Sequence, residues 1–253
     1  MTFYNLYNEL SSRYPVSLRC EWDNDGIMCA YDLNAQSKRI LIALDVTMDT
    51  VDYAIQNKFD TIISHHPLVF RSQKGLSEES FTQRKLIKLI QNGINVMSFH
   101  TRLDAAQGGV NDVIAKAMGF ENTAVDEREP IGRIGEYKEP LDLQNFVSNI
   151  KAIFKTPLVL YAGNKEVKRV YIVGGDGKDL IENAISCGAD TLLTGRASYN
   201  TMIDAKDMGL NIIEAGHFFT ENPVCEKIKS DVESICCGIE IEIFNSFNVN
   251  IVK

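Results

Sequence analysis

The 253-residue chain is poor in histidine and tryptophan, with four of the first and one of the second. Its six cysteines, Cys20, Cys29, Cys187, Cys225, Cys236 and Cys237, include no Cys-x-x-Cys pair. A chain of this length can bury a core without staples, so they read as reduced thiols. No apolar run approaches the ~20 residues of a membrane helix. The start, Met1 to Glu9, lacks the basic and apolar regions of a signal peptide. The expectation is a cytoplasmic protein with no membrane partner. Positive charge is also scarce: 26 Lys and Arg against 34 Asp and Glu give a net charge of -8. That argues against a nucleic-acid partner, whose phosphates want a basic face. There is no Gly-x-Gly-x-x-Gly and no P-loop, and Gly174-Gly-Asp-Gly177 reads as a plain Gly-rich turn.

What the chain does have is a short apolar strand, Thr61 to Ser64, that runs into His65-His66-Pro67. Proline cannot donate to a sheet ladder and pushes the residue before it toward extended backbone, so the strand stops there. Adjacent side chains on extended backbone point different ways, which suits His65 and His66 to two ions better than to one. His100 and His217 also follow predicted strands, where open α/β sheets bind their ligands.

The spacing of Phe3, Leu6, Tyr7 and Leu10 predicts a helix over 2–12. Strands are predicted at 38–44, 61–64 and 94–99, with helices at about 47–57, 83–91 and 110–118 between and after them. This alternation means βαβ units and a mostly parallel sheet. Glu21-Trp-Asp-Asn-Asp-Gly-Ile27 is a polar loop around the single tryptophan, either a turn capped by an indole or the rim of a site. The stretch 121–142, with Pro130, Gly132, Gly135, Pro140 and seven acidic residues, breaks the pattern. It divides the chain into a first α/β domain, 1–125, and a second, 126–253.

The second domain repeats the first. Sliding 38–64 by 130 positions onto 168–194 gives eight identities in 27 without a gap, and Asn92-Gly-Ile-Asn-Val matches Met208-Gly-Leu-Asn-Ile further on. The fold expected is therefore α/β, two similar α/β/α sandwich units from an internal duplication. The chemistry diverges where His65-His66 meets Gly195-Arg196 and Asp45 meets Gly175. It persists in the third strand, with His100 and Asp104 in one copy and His217 and Glu221 in the other. If Thr220 caps the next helix, Glu221 lies in its first turn.

His65, His66, Asp104, His217 and Glu221 form the candidate metal set. Five mixed imidazole and carboxylate donors exceed what one catalytic zinc takes. They suit two divalent ions per chain, zinc, iron or manganese, ~3.5–4 Å apart with a bridging carboxylate and an acidified bridging water. His100 and Asp45 are the candidate proton carriers, and Arg102 or Arg196 could hold an anionic group if they face the site. The function expected is a metal-dependent hydrolase of a nucleotide-like or heterocyclic small molecule, attacking with the metal-bridged hydroxide. The alternative is a non-catalytic metal-binding scaffold or metal-handling protein.

Ser-His-His-Pro at 64–67, His-Thr-Arg-Leu-Asp-Ala-Ala-Gln-Gly-Gly-Val-Asn-Asp at 100–112 and Gly-His-Phe-Phe-Thr-Glu at 216–221 occur in that order. Together with the 21–27 loop they resemble the Nif-three-like dinuclear metal-centre proteins, many of them labelled homologues of a type-two GTP cyclohydrolase. The resemblance spans essentially the whole chain, in the short form without an inserted domain. It implies two α/β domains facing across a dimetal cleft and a toroidal homohexamer. It also implies that His65 and His217 hold one ion and His66 and Asp104 the other, that Glu221 touches both, and that His100 lies close by without ligating.

Overall fold

Phe3, Leu6 and Leu10 are buried on one face of α1 (Phe3–Arg13), whose N-cap Thr2 accepts a hydrogen bond from Asn5 N. The computed structural model describes residues 1–250. After α1 come β1 (Gly26–Cys29), β2 (Arg39–Ala43), α2 (Met48–Gln56), β3 (Thr61–Ser64), α3 (Phe81–Gln91) and β4 (Asn95–Ser98). Then follow α4 (Thr101–Ala105), α5 (Val110–Ala117), β5 (Ala124–Val125), β6 (Arg133–Leu141), α6 (Leu143–Phe154), β7 (Leu160–Ala162) and β8 (Val167–Val173). The chain closes with α7 (Ile181–Ser186), β9 (Thr191–Thr194), α8 (Tyr199–Asp207), β10 (Asn211–Glu214), α9 (His217–Glu221), α10 (Val224–Ile235) and β11 (Glu240–Phe244). No helix among the described residues is long and apolar enough to cross a membrane.

The class is α/β, with one mixed sheet in each of two compact units. The first unit combines 1–106 with 224–248, and the second is built on 107–223. This corrects the division into 1–125 and 126–253. The chain returns to the first unit because β11 pairs in parallel with β2, from Glu240 opposite Arg39 to Phe244 opposite Ala43. At the other end α5 packs on β6 and β8 and so belongs to the second unit. The stretch 121–142 lies inside the second unit and does not mark its boundary. It holds β5 and β6, and β6 runs antiparallel to β8. Pro140 falls where that ladder slips between Glu136 and Leu141, the kind of irregularity at which a sheet tolerates a residue without an N–H.

The sheets run β1-β4-β3-β2-β11 and β5-β6-β8-β9-β10-β7. Read inward from β1 and from β7, both begin with an antiparallel strand on a parallel three-strand core. Leu41, Ile62 and Val96 lie side by side across the first core, and Tyr171, Leu192 and Ile212 across the second; all six are buried. The polar contacts repeat too. Asp60 Oδ2 accepts from Lys38 N at 2.9 Å and Arg39 N at 3.0 Å, and Asp190 Oδ2 from Lys168 N at 2.9 Å and Arg169 N at 2.7 Å. Asn95 pins Tyr31 N and Asp32 O as Asn211 pins Lys165 N and O. Asp60→Ala and Asp190→Ala each strip two backbone donors of their acceptor. Each is expected to cost about 1–3 kcal/mol, seen as a lowered urea midpoint. A loss at one position and none at the other would show that the equivalence is not energetic.

Candidate metal centre

The β3 strand is buried throughout, and its end delivers His65 buried and His66 half-exposed. Ser64 Oγ fixes the turn by donating to His66 O at 2.8 Å. The neighbouring β4 ends at Ser98, two residues before His100, which precedes α4. The three rings gather: centroids are 4.9 Å apart for His65 and His66, 5.3 Å for His65 and His100, and 5.6 Å for His66 and His100. One ligand nitrogen from each lies within 4.8 Å of the others, so the group could hold a metal ion.

Each of these imidazoles is anchored through Nδ1. His65 Nδ1 meets Phe99 O at 2.9 Å, His66 Nδ1 meets Asp45 Oδ1 at 2.7 Å, and His100 Nδ1 meets Asp23 Oδ1 at 2.8 Å. A carbonyl or carboxylate oxygen accepts, so Nδ1 carries the proton and Nε2 keeps its lone pair for a ligand. Asp104 Oδ1 stands 3.6 Å from His65 Nε2. Two donors each ~2.0–2.2 Å from a tetrahedral ion stand about 3.4 Å apart, so this pair fits one ion. Asp104 thus meets His65, where the resemblance paired it with His66.

The roles expected of other residues shift with the geometry. Asp45 holds His66 and is itself held by Ser246, whose Oγ donates to Asp45 Oδ2 at 3.2 Å. It is placed to orient an imidazole. Arg102 faces no open site. It is completely buried, with Nε donating to Asp25 Oδ2 at 2.9 Å and its guanidinium 4.5 Å from the Phe99 ring centre. Arg196 is exposed. Asp23 and Asp25 received no role from the sequence, yet both are buried and clamp the His100 turn: Asp25 Oδ2 accepts His100 N, and Asp23 Oδ2 accepts Thr101 N and Oγ1. Burial pushes the Asp23 carboxyl upward, but hydrogen bonds from His100 and Thr101 outweigh it and hold the pKa at about 2. Nothing in a short polar loop announces which of its acids will be buried.

In the second unit, α9 carries His217 and Glu221 one helical turn apart, with Nε2 to Oε2 at 2.9 Å. Thr220 does not cap the following helix. It lies inside α9, where its Oγ1 donates to His217 O at 3.0 Å and accepts from Gly175 N at 3.3 Å. Glu221 accordingly ends this helix instead of opening the next. Here the second copy's glycines find their reason. A Cβ on Gly175, the counterpart of Asp45, would overlap Glu221 Oε1, and one on Gly195, the counterpart of His65, would come within 2.6 Å of Thr220 Oγ1. Gly175 also has φ +64°, which disfavours any side chain. The second unit therefore presents its donors from α9, and the glycines at 175 and 195 leave room for Glu221 and Thr220. Imidazole nitrogens and carboxylate oxygens of this kind suit zinc, iron or manganese.

The sequence profile described as Duf34/NIF3 (NGG1p interacting factor 3) matches residues 1–249. A Clostridium acetobutylicum protein named "GTP cyclohydrolase 1 type 2 homolog" is 35% identical over 229 residues, covering 87% of this chain and 85% of its own length. A protein of the same name from Clostridium perfringens is 34% identical over 251 residues, covering 93% and 95%. Among solved structures, a Staphylococcus aureus protein superposes with a TM-score of 0.88 at 27% identity, covering 100% of this chain and 99% of the other.

Proposed function

The chain belongs to the Duf34/NIF3 family, and from that premise we propose that it is a dinuclear metal-binding protein acting as a metal-dependent hydrolase on a nucleotide-like or heterocyclic substrate. The observation that carries the reading is the gathering of His65, His66 and His100 at one place, with each imidazole oriented by an oxygen acceptor at its Nδ1 and Asp104 beside His65. In this proposal His65, His66, Asp104, His217 and Glu221 together hold two divalent ions, zinc, iron or manganese, with His65 and Asp104 on the same ion and Glu221 shared. Bound there, two such ions would acidify a water and polarise a carbonyl or phosphoryl oxygen. Asp45 and the Phe99 carbonyl keep His66 and His65 in the ligating tautomer. His100, steadied by Asp23, takes the proton-carrying role. Opening a purine ring, as the relatives' name suggests, and cleaving a phosphoester are both reactions of this class. A homohexamer in the cytoplasm is the proposed setting, and six cysteines outside any disulfide fit a reducing compartment.

The test is a turnover screen over nucleotides, phosphodiesters and cyclic amides, with the protein loaded in turn with zinc, iron and manganese. Wild type is expected to turn over one substrate class, and His66→Ala to lose at least a hundredfold of that rate. Without any turnover that depends on His66, the hydrolase reading falls. Rapid release of the ions to a chelator would then point to the metal-handling alternative.

A further inference from the structure

The 21–27 loop buries its acids and exposes its indole. Asp23 and Asp25 are each 7% exposed, whereas Trp22 is 64% exposed. A tryptophan that served as a cap on the core would show the reverse. Nor is the indole outside because the loop is slack. Cys20 N donates to Thr101 Oγ1 at 3.0 Å, Asp23 grips His100 and Thr101, and Asp25 accepts from His100 N and Arg102 Nε. Asn24 Nδ2 donates to Val69 O at 2.5 Å and so ties this loop to the one carrying Phe70.

Phe70 is also exposed, at 46%. Its ring meets Trp22 at 62° with centroids 6.2 Å apart, an edge-to-face contact in which one ring gives its edge and the other one of its two faces. Both aromatics stand edge-on to His100 with centroids 6.2 Å away. Two large exposed aromatic rings, held on braced loops against one histidine of a candidate metal centre, are the lining expected of a ligand subsite.

We propose that Trp22 and Phe70 form an aromatic platform for a planar heteroaromatic ring, which stacks on the indole while Phe70 braces the indole and meets the ligand edge-on, and that this ring positions the substrate beside His100. The inference rests on the hydrolase reading and narrows its substrate class to molecules with a flat heterocycle, such as a purine. Stacking on aromatic side chains suits any base with a π-face and needs no directional hydrogen bond. His100 adds the direction: with Nδ1 committed to Asp23, its Nε2 can meet a polar edge of the stacked ring. Trp22 and Phe70 are positioning residues in this scheme, since neither carries a proton or a charge to the reacting atoms.

Trp22 is the only tryptophan, so its fluorescence reports directly on the platform. Chelator-treated wild type is titrated with guanosine monophosphate and with ribose phosphate, which differs by lacking the base. Saturable quenching is expected with the first and none with the second. By equilibrium dialysis, Phe70→Ala and Trp22→Ala should each weaken guanosine monophosphate binding about tenfold or more, and Trp22→Phe should restore most of it. Circular dichroism and metal stoichiometry should match wild type in all three variants. No saturable quenching overturns the platform, as does equal quenching by ribose phosphate. So does a Trp22→Ala protein that keeps its affinity but changes oligomeric state, because the indole would then belong to a contact between copies. Binding is read without metal and without turnover, so the two readings fail separately. Turnover dependent on His66 with no stacking sinks the platform alone, and stacking without such turnover sinks the hydrolase alone.

Discussion

An Arg102→Met variant is expected to lose about 3–5 kcal/mol of stability, the usual cost of removing one partner from a buried ion pair. The side chains of Arg102 and Asp25 are both wholly shielded from solvent. Arg102 Nε donates to Asp25 Oδ2 at 2.9 Å, and its Nη1 donates to Tyr14 O at 3.1 Å. The guanidinium lies against the Phe99 and Tyr7 rings, with centroids at 4.5 and 5.7 Å. Methionine fills part of that volume but leaves a carboxylate in the interior. Arg19 Nη1, 3.6 Å from the other Asp25 oxygen, offers only partial relief. A double variant, Arg102→Met with Asp25→Asn, should recover part of the loss because the stranded charge is gone. Denaturant unfolding measures wild type, Arg102→Met, Asp25→Asn and the double variant. A single-variant loss below about 1 kcal/mol, or a double variant worse than the sum of the two, would show that the pair is not what holds this turn. The consequence reaches the site, because Asp25 Oδ2 also accepts the backbone N–H of His100.

The second large effect concerns the proposed ions. Glu221→Ala should lower metal stoichiometry by one ion per chain and remove most of the metal-dependent rise in melting temperature. An ion that binds only the folded protein stabilises it by ~2.7 kcal/mol at a hundredfold excess over its dissociation constant. A shared carboxylate does most to sustain that gain, since without it two cations face each other with less compensating charge. Glu226→Ala is the control, an exposed acid in the first turn of α10. Stoichiometry is read by elemental analysis and the shift by calorimetry with and without metal. A Glu221→Ala protein that still holds two ions with the full shift would refute the shared ligand and the two-ion proposal with it.

Several features were legible in the residues themselves because they are local. Helical spacing placed α1, and the chain supplies a cap near the start of α2, where the structure selects Thr47, which accepts from Thr50 N. The end of β3 at Ser64, just before the paired histidines, follows from Pro67, and the ungapped register of 38–64 on 168–194 places Asp60 and Asp190 at positions that make the same backbone contacts. In the acid-rich stretch 121–142, local composition misled: Pro and Gly signal irregular backbone, but a register slip can absorb a proline within a paired strand.

By itself, then, the order of residues determined the α/β class and the paired histidines at a strand end, both of which depend on neighbours along the chain. Only the tertiary structure decided the return of β11 to β2, the burial of Asp23, Asp25 and Arg102 around His100, the grip of Asp45 on His66, and the exposure of Trp22. These depend on pairings between residues far apart in sequence. An acid, an arginine or an indole carries no mark of its burial until the element that covers it, or leaves it open, has been put in place.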